Sequence, residues 1–282
     1  MPESMVSGGD LLRSGAAGGV LLAALTADLF LLARVWRPFA GGVRVWAARL
    51  ARPFGTLEIA AATGCALAVA LPAALSSARP PPAAPPPVPT AASVLFPAAA
   101  LYAVWIGAAA FCAGLRGDRA RGAFFSSARA ARPLVTGTGL GLAMVAPVLL
   151  LSGLAFTACE RLGLDPAPQE VFALLRDPSV APPTRAAVIA VAVCGAPVAE
   201  EFLFRGLLFP ALLAHSGSFG RALLLQGLLF GVIHSHLATF PPLGAAGICF
   251  ALGYAATGSL LTPIAMHMVF NACSILLFLA GG

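Results

Sequence analysis

Six polar side chains with the chemistry of hydrolysis fall in the last third of this 282-residue chain, within stretches that are otherwise apolar. They are Glu200, Glu201, Arg205, His234, His267 and Asn271. An ionisable group inside a membrane costs at least about 2.5–3.5 kcal/mol, so a cluster of such groups needs partners or a purpose. Carboxylates and imidazoles activate water, and imidazoles and amides stabilise developing negative charge.

The spacing of the acidic residues separates their roles. Glu201 and Arg205 are four residues apart and share a helical face, which predicts an ion pair between them. Glu200 is rotated by about 100° and lacks that partner, so we expect it to be the freer carboxylate. Desolvation in an apolar pocket favours proton uptake by such a carboxylate, as a general base requires, and His234 is its candidate neighbour.

The later polar residues repeat the four-residue spacing. His267 and Asn271 place two hydrogen-bond donors on one helical face, as an oxyanion requires, and Phe230 shares a face with His234. Each pattern also has a structural interpretation, as an ion pair within a helix or as hydrogen bonds between helices. The occurrence of all of them on separate apolar segments favours a site.

The elements that position these residues must be membrane helices. Hydrophobic residues make up 59% of the chain and charged residues 10%, against about 25% charged in soluble domains. We predict an all-α, polytopic bundle of about eight helices, with a polar cavity enclosed by the last four. The apolar runs of spanning length are 18–36, 57–76, 93–115, 134–158, 186–214, 220–238, 243–257 and 260–279. We expect the first run to be retained as a span, and a short amphipathic segment around Val171–Leu175.

The net charge of +6 comes from arginines clustered beside the apolar runs, between the first and second and between the third and fourth. This pattern sets topology: both loops are predicted to be cytoplasmic, with both termini outside. It does not favour nucleic acid, so the predicted partners are the lipid bilayer and a substrate.

The six cysteines form no C-x-x-C pair for zinc or disulfide exchange. Gly137, Gly139 and Gly141 lie within a span and predict close helix packing rather than a nucleotide loop.

Three motifs then indicate a family. Glu-Glu-x-x-x-Arg stands at 200–205, followed by Gly206 and preceded by Ala196-Pro197; Phe-x-x-x-His stands at 230–234, and His-x-x-x-Asn at 267–271. In this order, on three apolar segments, they resemble the CAAX-protease and bacteriocin-processing (CPBP, or Abi) intramembrane proteases. The resemblance covers Thr184 to Leu279. The earlier half resembles nothing more specific than a set of membrane helices.

The resemblance implies an intramembrane endopeptidase that cleaves a membrane-anchored or hydrophobic peptide. Glu200 and His234 would deprotonate the attacking water, His267 and Asn271 would stabilise the oxyanion, and Glu201 with Arg205 would support them. A metal-free mechanism without a cofactor is favoured, since no His-Glu-x-x-His helix is present. Zinc held by Glu200, His234 and His267 is the alternative.

Two further readings stay open at this point. Intramembrane Glu, Arg and His also line proton paths, although the two related halves expected of a transporter are not visible. A non-catalytic immunity or scaffold protein could keep the same motifs. We expect residues 1–133 to be a scaffold and 134–282 the catalytic membrane domain, with the motifs in 184–279, in the inner membrane of a bacterial cell.

Overall fold

The computed structural model describes residues 55–77, 88–116, 131–164 and 169–280. These residues form eight helices and no β-strand, which confirms the predicted all-α fold. In chain order the helices are α1 (Thr56–Ser77), α2 (Ala91–Arg116), α3 (Ala131–Arg161), α4 (Glu170–Arg176), α5 (Pro182–Ser216), α6 (Phe219–Val232), α7 (Phe240–Thr257) and α8 (Leu261–Ala280). The predicted run 18–36 and most of the arginine-rich loops lie outside the described residues.

Five of these helices, α2, α3, α5, α7 and α8, are long and apolar enough to cross a membrane. Many of their leucines, valines and phenylalanines are exposed, as at Phe96 and Val135, where they would face lipid. The chain is therefore an integral, multi-pass membrane protein. The short segment predicted around Val171–Leu175 is also a helix, α4.

Helix α5 contains two wide, π-helical turns, Val191–Gly195 and Phe202–Leu208. Each precedes a proline, Pro197 or Pro210, that has no N–H to offer an earlier carbonyl. Such turns shift the helical register and occur often at functional sites. Glu200 and Glu201 lie in the ordinary helical segment between them.

Helix α6 is shorter than predicted. The apolar run 220–238 predicts one span, but the helix ends at Val232, so its 14 residues rise only about 21 Å against a hydrocarbon core of about 30 Å. Ser235, three residues later, has φ 57°, a left-handed conformation that prevents the helix from continuing. His234 therefore lies in a turn inside the bundle rather than on a helix.

Close packing of α3 against α8 confirms the prediction for two of the three glycines. A Cβ on Gly137 would meet the carbonyl oxygen of Thr262 and lie 2.8 Å from Ala265 Cβ, and one on Gly141 would lie 2.9 Å from the Met266 carbonyl oxygen. Gly139 has nothing within 4 Å of its Cβ position. Gly137 and Gly141 thus allow backbone contact with the helix that carries His267.

This packing predicts opposite effects for two neighbouring glycines. Gly137→Ala should destabilise the protein by about 1–3 kcal/mol through overpacking, with a lower thermal midpoint in detergent. Gly139→Ala is the matched control, because it gains helix propensity worth up to about 1 kcal/mol without a clash. Equal midpoints for the two variants would contradict the close α3–α8 contact.

Candidate active site

The buried centre of the site is the ion pair that the sequence predicts. Arg205 Nη1 donates to Glu201 Oε1 at 2.9 Å, and both side chains are fully buried. Arg205 Nη2 donates to the carbonyl oxygen of Gly247 on α7 at 2.6 Å. The guanidinium also lies 4.8 Å from the ring centroid of Phe230 and 5.2 Å from that of Phe250. The positive charge is therefore held by one carboxylate, one carbonyl and aromatic faces.

The same carboxylate oxygen binds the histidine of α8. His267 Nδ1 lies 2.9 Å from Glu201 Oε1, and His267 Nε2 lies 3.9 Å from Glu200 Oε2. Because a carboxylate accepts, Nδ1 carries a proton and Nε2 is the nitrogen directed toward Glu200. The Phe250 ring stacks on this imidazole, with centroids 4.5 Å apart and planes 20° apart. The sequence predicted neither the contact of His267 with Glu201 nor its contact with Phe250.

Glu200 is the less constrained carboxylate, as its spacing predicts. Its side chain is 12% exposed, and its Oε2 is buried without a hydrogen-bond partner among the described residues. Glu200 therefore keeps a carboxylate oxygen without a hydrogen bond, 3.9 Å from His267 Nε2.

His234 reaches the site from the turn after α6. Its Nδ1 lies 2.7 Å from the carbonyl oxygen of Phe230, so Nδ1 is the protonated nitrogen and Nε2 is left unprotonated in the neutral ring. The rings of Phe230 and His234 are 5.1 Å apart, which confirms the predicted contact, although not within one helix. The left-handed Ser235 beside it is a backbone conformation of the kind often found at functional sites.

Asn271 is fixed by the first wide turn of α5. The N–H of Ala196 bonds to the carbonyl of Val191, and the next residue, Pro197, has no N–H. The carbonyl of Ala192 therefore lacks a backbone donor, and Asn271 Nδ2 donates to it at 2.8 Å. An amide nitrogen carries two protons, so Asn271 has a second one for another acceptor.

One cavity of about 560 Å³ brings Glu200, His234, His267 and Asn271 together. Glu201 and Arg205 do not line it and support it from behind. Earlier helices complete the wall: Tyr102 of α2, Ser152 of α3, and several side chains of α4 contribute to it. These contributions lay outside the sequence prediction, because the spacing of residues along the chain does not reveal which helices become neighbours.

The donor set meets only part of what zinc requires. His234 and His267 each hold Nδ1 in a hydrogen bond, as zinc-binding histidines often do. Within the described part of the chain, however, no three His, Cys, Asp or Glu side chains converge to hold a metal ion. The arrangement does not fit a three-ligand zinc site, so no step below passes through a metal.

The fold and the cavity define a polytopic helical membrane protein with a buried polar site. Residues 182–273 match the model of the family described as type II CAAX prenyl endopeptidase Rce1-like. A Bacillus subtilis (strain 168) protein, "Putative membrane peptidase YdiL", is 32% identical over 81 residues, covering 29% of this chain and 33% of that protein. No solved structure matches. The family match includes all three motifs and confirms the resemblance to the CPBP family over this segment.

A double-variant cycle measures the coupling at the buried centre. Arg205→Met should cost about 3–5 kcal/mol of stability, because it leaves the Glu201 charge buried and uncompensated. Adding Glu201→Gln should recover much of that loss, since the charge that needed compensation is gone. Thermal and denaturant unfolding in detergent provide the measurement. A double variant whose loss of stability equals the sum of the losses in the two single variants would contradict the ion pair.

Proposed function

We propose that the protein is a glutamate-dependent intramembrane endopeptidase that hydrolyses a peptide bond of a membrane-associated protein or peptide. The observation that carries this proposal is the cavity that gathers Glu200, His234, His267 and Asn271 within an apolar bundle. The family match and the name of the bacterial relative support peptidase activity. Residues 1–133 would serve as scaffold and 134–282 as the catalytic domain.

In this proposal, Glu200 is the general base. Its Oε2 has no hydrogen-bond partner among the described residues, so it can accept a proton from water in the cavity. His234 holds the same water through Nε2, the nitrogen left unprotonated when Nδ1 binds the Phe230 carbonyl. As water attacks the scissile carbonyl, one of its protons passes to Glu200, which later donates it to the leaving amine.

His267 and Asn271 stabilise the oxyanion that forms in this step. A protonated His267 donates through Nε2, while Glu201 keeps Nδ1 occupied and fixes the orientation of the ring. Asn271 donates through the amide proton that the Ala192 carbonyl does not use. Both donors are fixed before substrate binds, which avoids reorganisation during the reaction.

The cavity wall favours an apolar substrate segment. Away from the polar groups, the wall is formed by Val188, Ile275 and Phe278 together with Phe172 and Leu174 of α4. On α5, every fourth residue lines this wall, so the apolar surface leads directly to the proposed base. These residues are Val188, Ala192, Ala196 and Glu200. A hydrophobic peptide lying along this face would present its backbone to Glu200.

Proteolysis tests the assignment of the base. Glu200→Gln should reduce cleavage of membrane proteins from the native host by at least about 100-fold, because the amide cannot accept the proton from water. Glu160→Gln, at the exposed end of α3, is the matched control and should retain full activity.

Cleavage by the wild-type protein should survive a chelator. Loss of cleavage on chelation would instead support the zinc alternative. A folded wild-type protein that cleaves nothing in a complete pool would support the non-catalytic reading.

A second experiment tests the substrate path. Ala196→Leu should reduce kcat/KM by roughly 10-fold or more, because it fills the wall one turn before Glu200. Cys194→Leu adds similar bulk to the same helix at an exposed position that does not line the cavity, and should change kcat/KM little. Equal reductions of kcat/KM in the two variants would contradict a substrate path along this face of α5.

A further inference from the structure

A buried amide outside the three motifs contacts the same centre. Gln226 of α6 is fully buried, and its Nε2 donates to the carbonyl oxygen of Gly247 at 3.0 Å and to that of Leu223 at 3.1 Å. Arg205 Nη2 donates to the same Gly247 oxygen at 2.6 Å. One carbonyl of α7 thus joins Gln226 to the guanidinium that holds Glu201.

Gln226 reaches α7 because α6 and α7 touch through glycines. A Cβ on Gly227 would lie 3.0 Å from the Gly244 carbonyl oxygen, and one on Gly247 would lie 3.0 Å from Phe230 Cβ. A larger residue at either position would separate the helices and move the Gly247 carbonyl away from the amide. The contact therefore depends on small residues on both helices.

From this carbonyl a continuous series of contacts leads into the cavity. Arg205 Nη1 binds Glu201 Oε1 at 2.9 Å, and the same oxygen binds His267 Nδ1 at 2.9 Å. The Gly247 carbonyl fixes the Nη2 side of the Arg205 guanidinium, and the bond from Nη1 fixes Glu201. A displaced guanidinium would change the position of the oxygen that accepts the hydrogen bond from His267 Nδ1.

Stability alone does not account for an amide at this position. Gln226 Oε1 is buried without a hydrogen-bond partner among the described residues, and such an orphaned acceptor costs about 1–3 kcal/mol. An apolar side chain of similar volume would avoid that cost. What the amide provides and an apolar residue does not is a second donor to the Gly247 carbonyl.

We propose that Gln226 is a positioning residue of the hydrolytic site: it fixes the Gly247 carbonyl, and through Arg205 and Glu201 it maintains the orientation of His267 and the hydrogen bond from its Nδ1–H to Glu201. Its effect on turnover rests on the proposed function. Its effect on the imidazole does not.

The test replaces Gln226 by Met, which has similar length and cannot donate. Nitrogen-15 NMR of histidine-labelled protein should show one hydrogen-bonded Nδ1–H signal of His267 in the wild type, and a shifted or broadened signal in Gln226→Met. The signals are assigned by their loss in His267→Asn. With a cleaved host substrate, kcat should fall roughly 10-fold or more with little change in KM, since the displaced group acts on the reaction rather than on substrate binding.

Thr184→Ala is the control for general destabilisation. Thr184 is buried in the first turn of α5, about 24 Å along the helix from Glu200, so removing its buried atoms should lower stability without changing the His267 signals. If Gln226→Met does not fold, Gln226→Asn serves with the same readouts, because its shorter amide cannot reach Gly247.

Wild-type His267 signals and wild-type kcat in a folded Gln226 variant would overturn the proposal and leave Gln226 a structural residue. Changed signals with unchanged kcat would also overturn its role in hydrolysis. Changed signals in a protein whose wild type cleaves nothing would support the positioning of His267 while contradicting the proposed function.

Discussion

The site depends on one carboxylate oxygen buried in an apolar bundle. Glu201 Oε1 accepts from Arg205 and from His267, both at 2.9 Å, with no exposure of the Glu201 side chain. A buried charge is tolerated only when its partners are fixed, so this oxygen requires α5 and α8 to meet at a single geometry. It also leaves His267 Nε2 directed toward Glu200. The geometry available for hydrolysis follows from that pairing.

Helix α7 carries none of the motif residues, yet it maintains this pairing. Its Gly247 carbonyl binds Arg205, and its Phe250 ring stacks on His267 and faces the guanidinium. Both contacts require α7 to lie close to its neighbours, which the glycines on α6 and α7 allow. The buried polar groups are thus enclosed by aromatic rings and close backbone contacts, which keep lipid and bulk water away from the ion pair.

The sequence predicted the features that depend on local spacing. Apolar runs located the described long helices, and the four-residue spacing of Glu201 and Arg205 predicted their ion pair. It could not predict the bond between Glu201 and His267, because helical periodicity identifies faces but not which faces meet. The end of α6 was also missed: the run 220–238 continues in hydropathy, whereas Ser235 turns the backbone. The roles of Phe250 and of the α2 and α4 walls likewise arise only from tertiary packing.

Two irregular backbone segments of the described residues lie beside the proposed chemistry. The wide turn before Pro197 leaves the Ala192 carbonyl for Asn271, and the left-handed Ser235 places His234 in a turn. Both departures from regular helix position a polar group in the cavity. They have a clear role if the polar groups act together on one substrate.

The central claim, that Glu200 and His234 activate one water as a unit, is tested most directly by kcat for Glu200→Gln, His234→Asn and the double variant. Groups that act as a unit give strongly non-additive losses, so the double variant should be about as slow as the slower single variant. Losses that multiply in the double variant, or a His234→Asn variant with wild-type kcat, would contradict the shared water and the mechanism built on it.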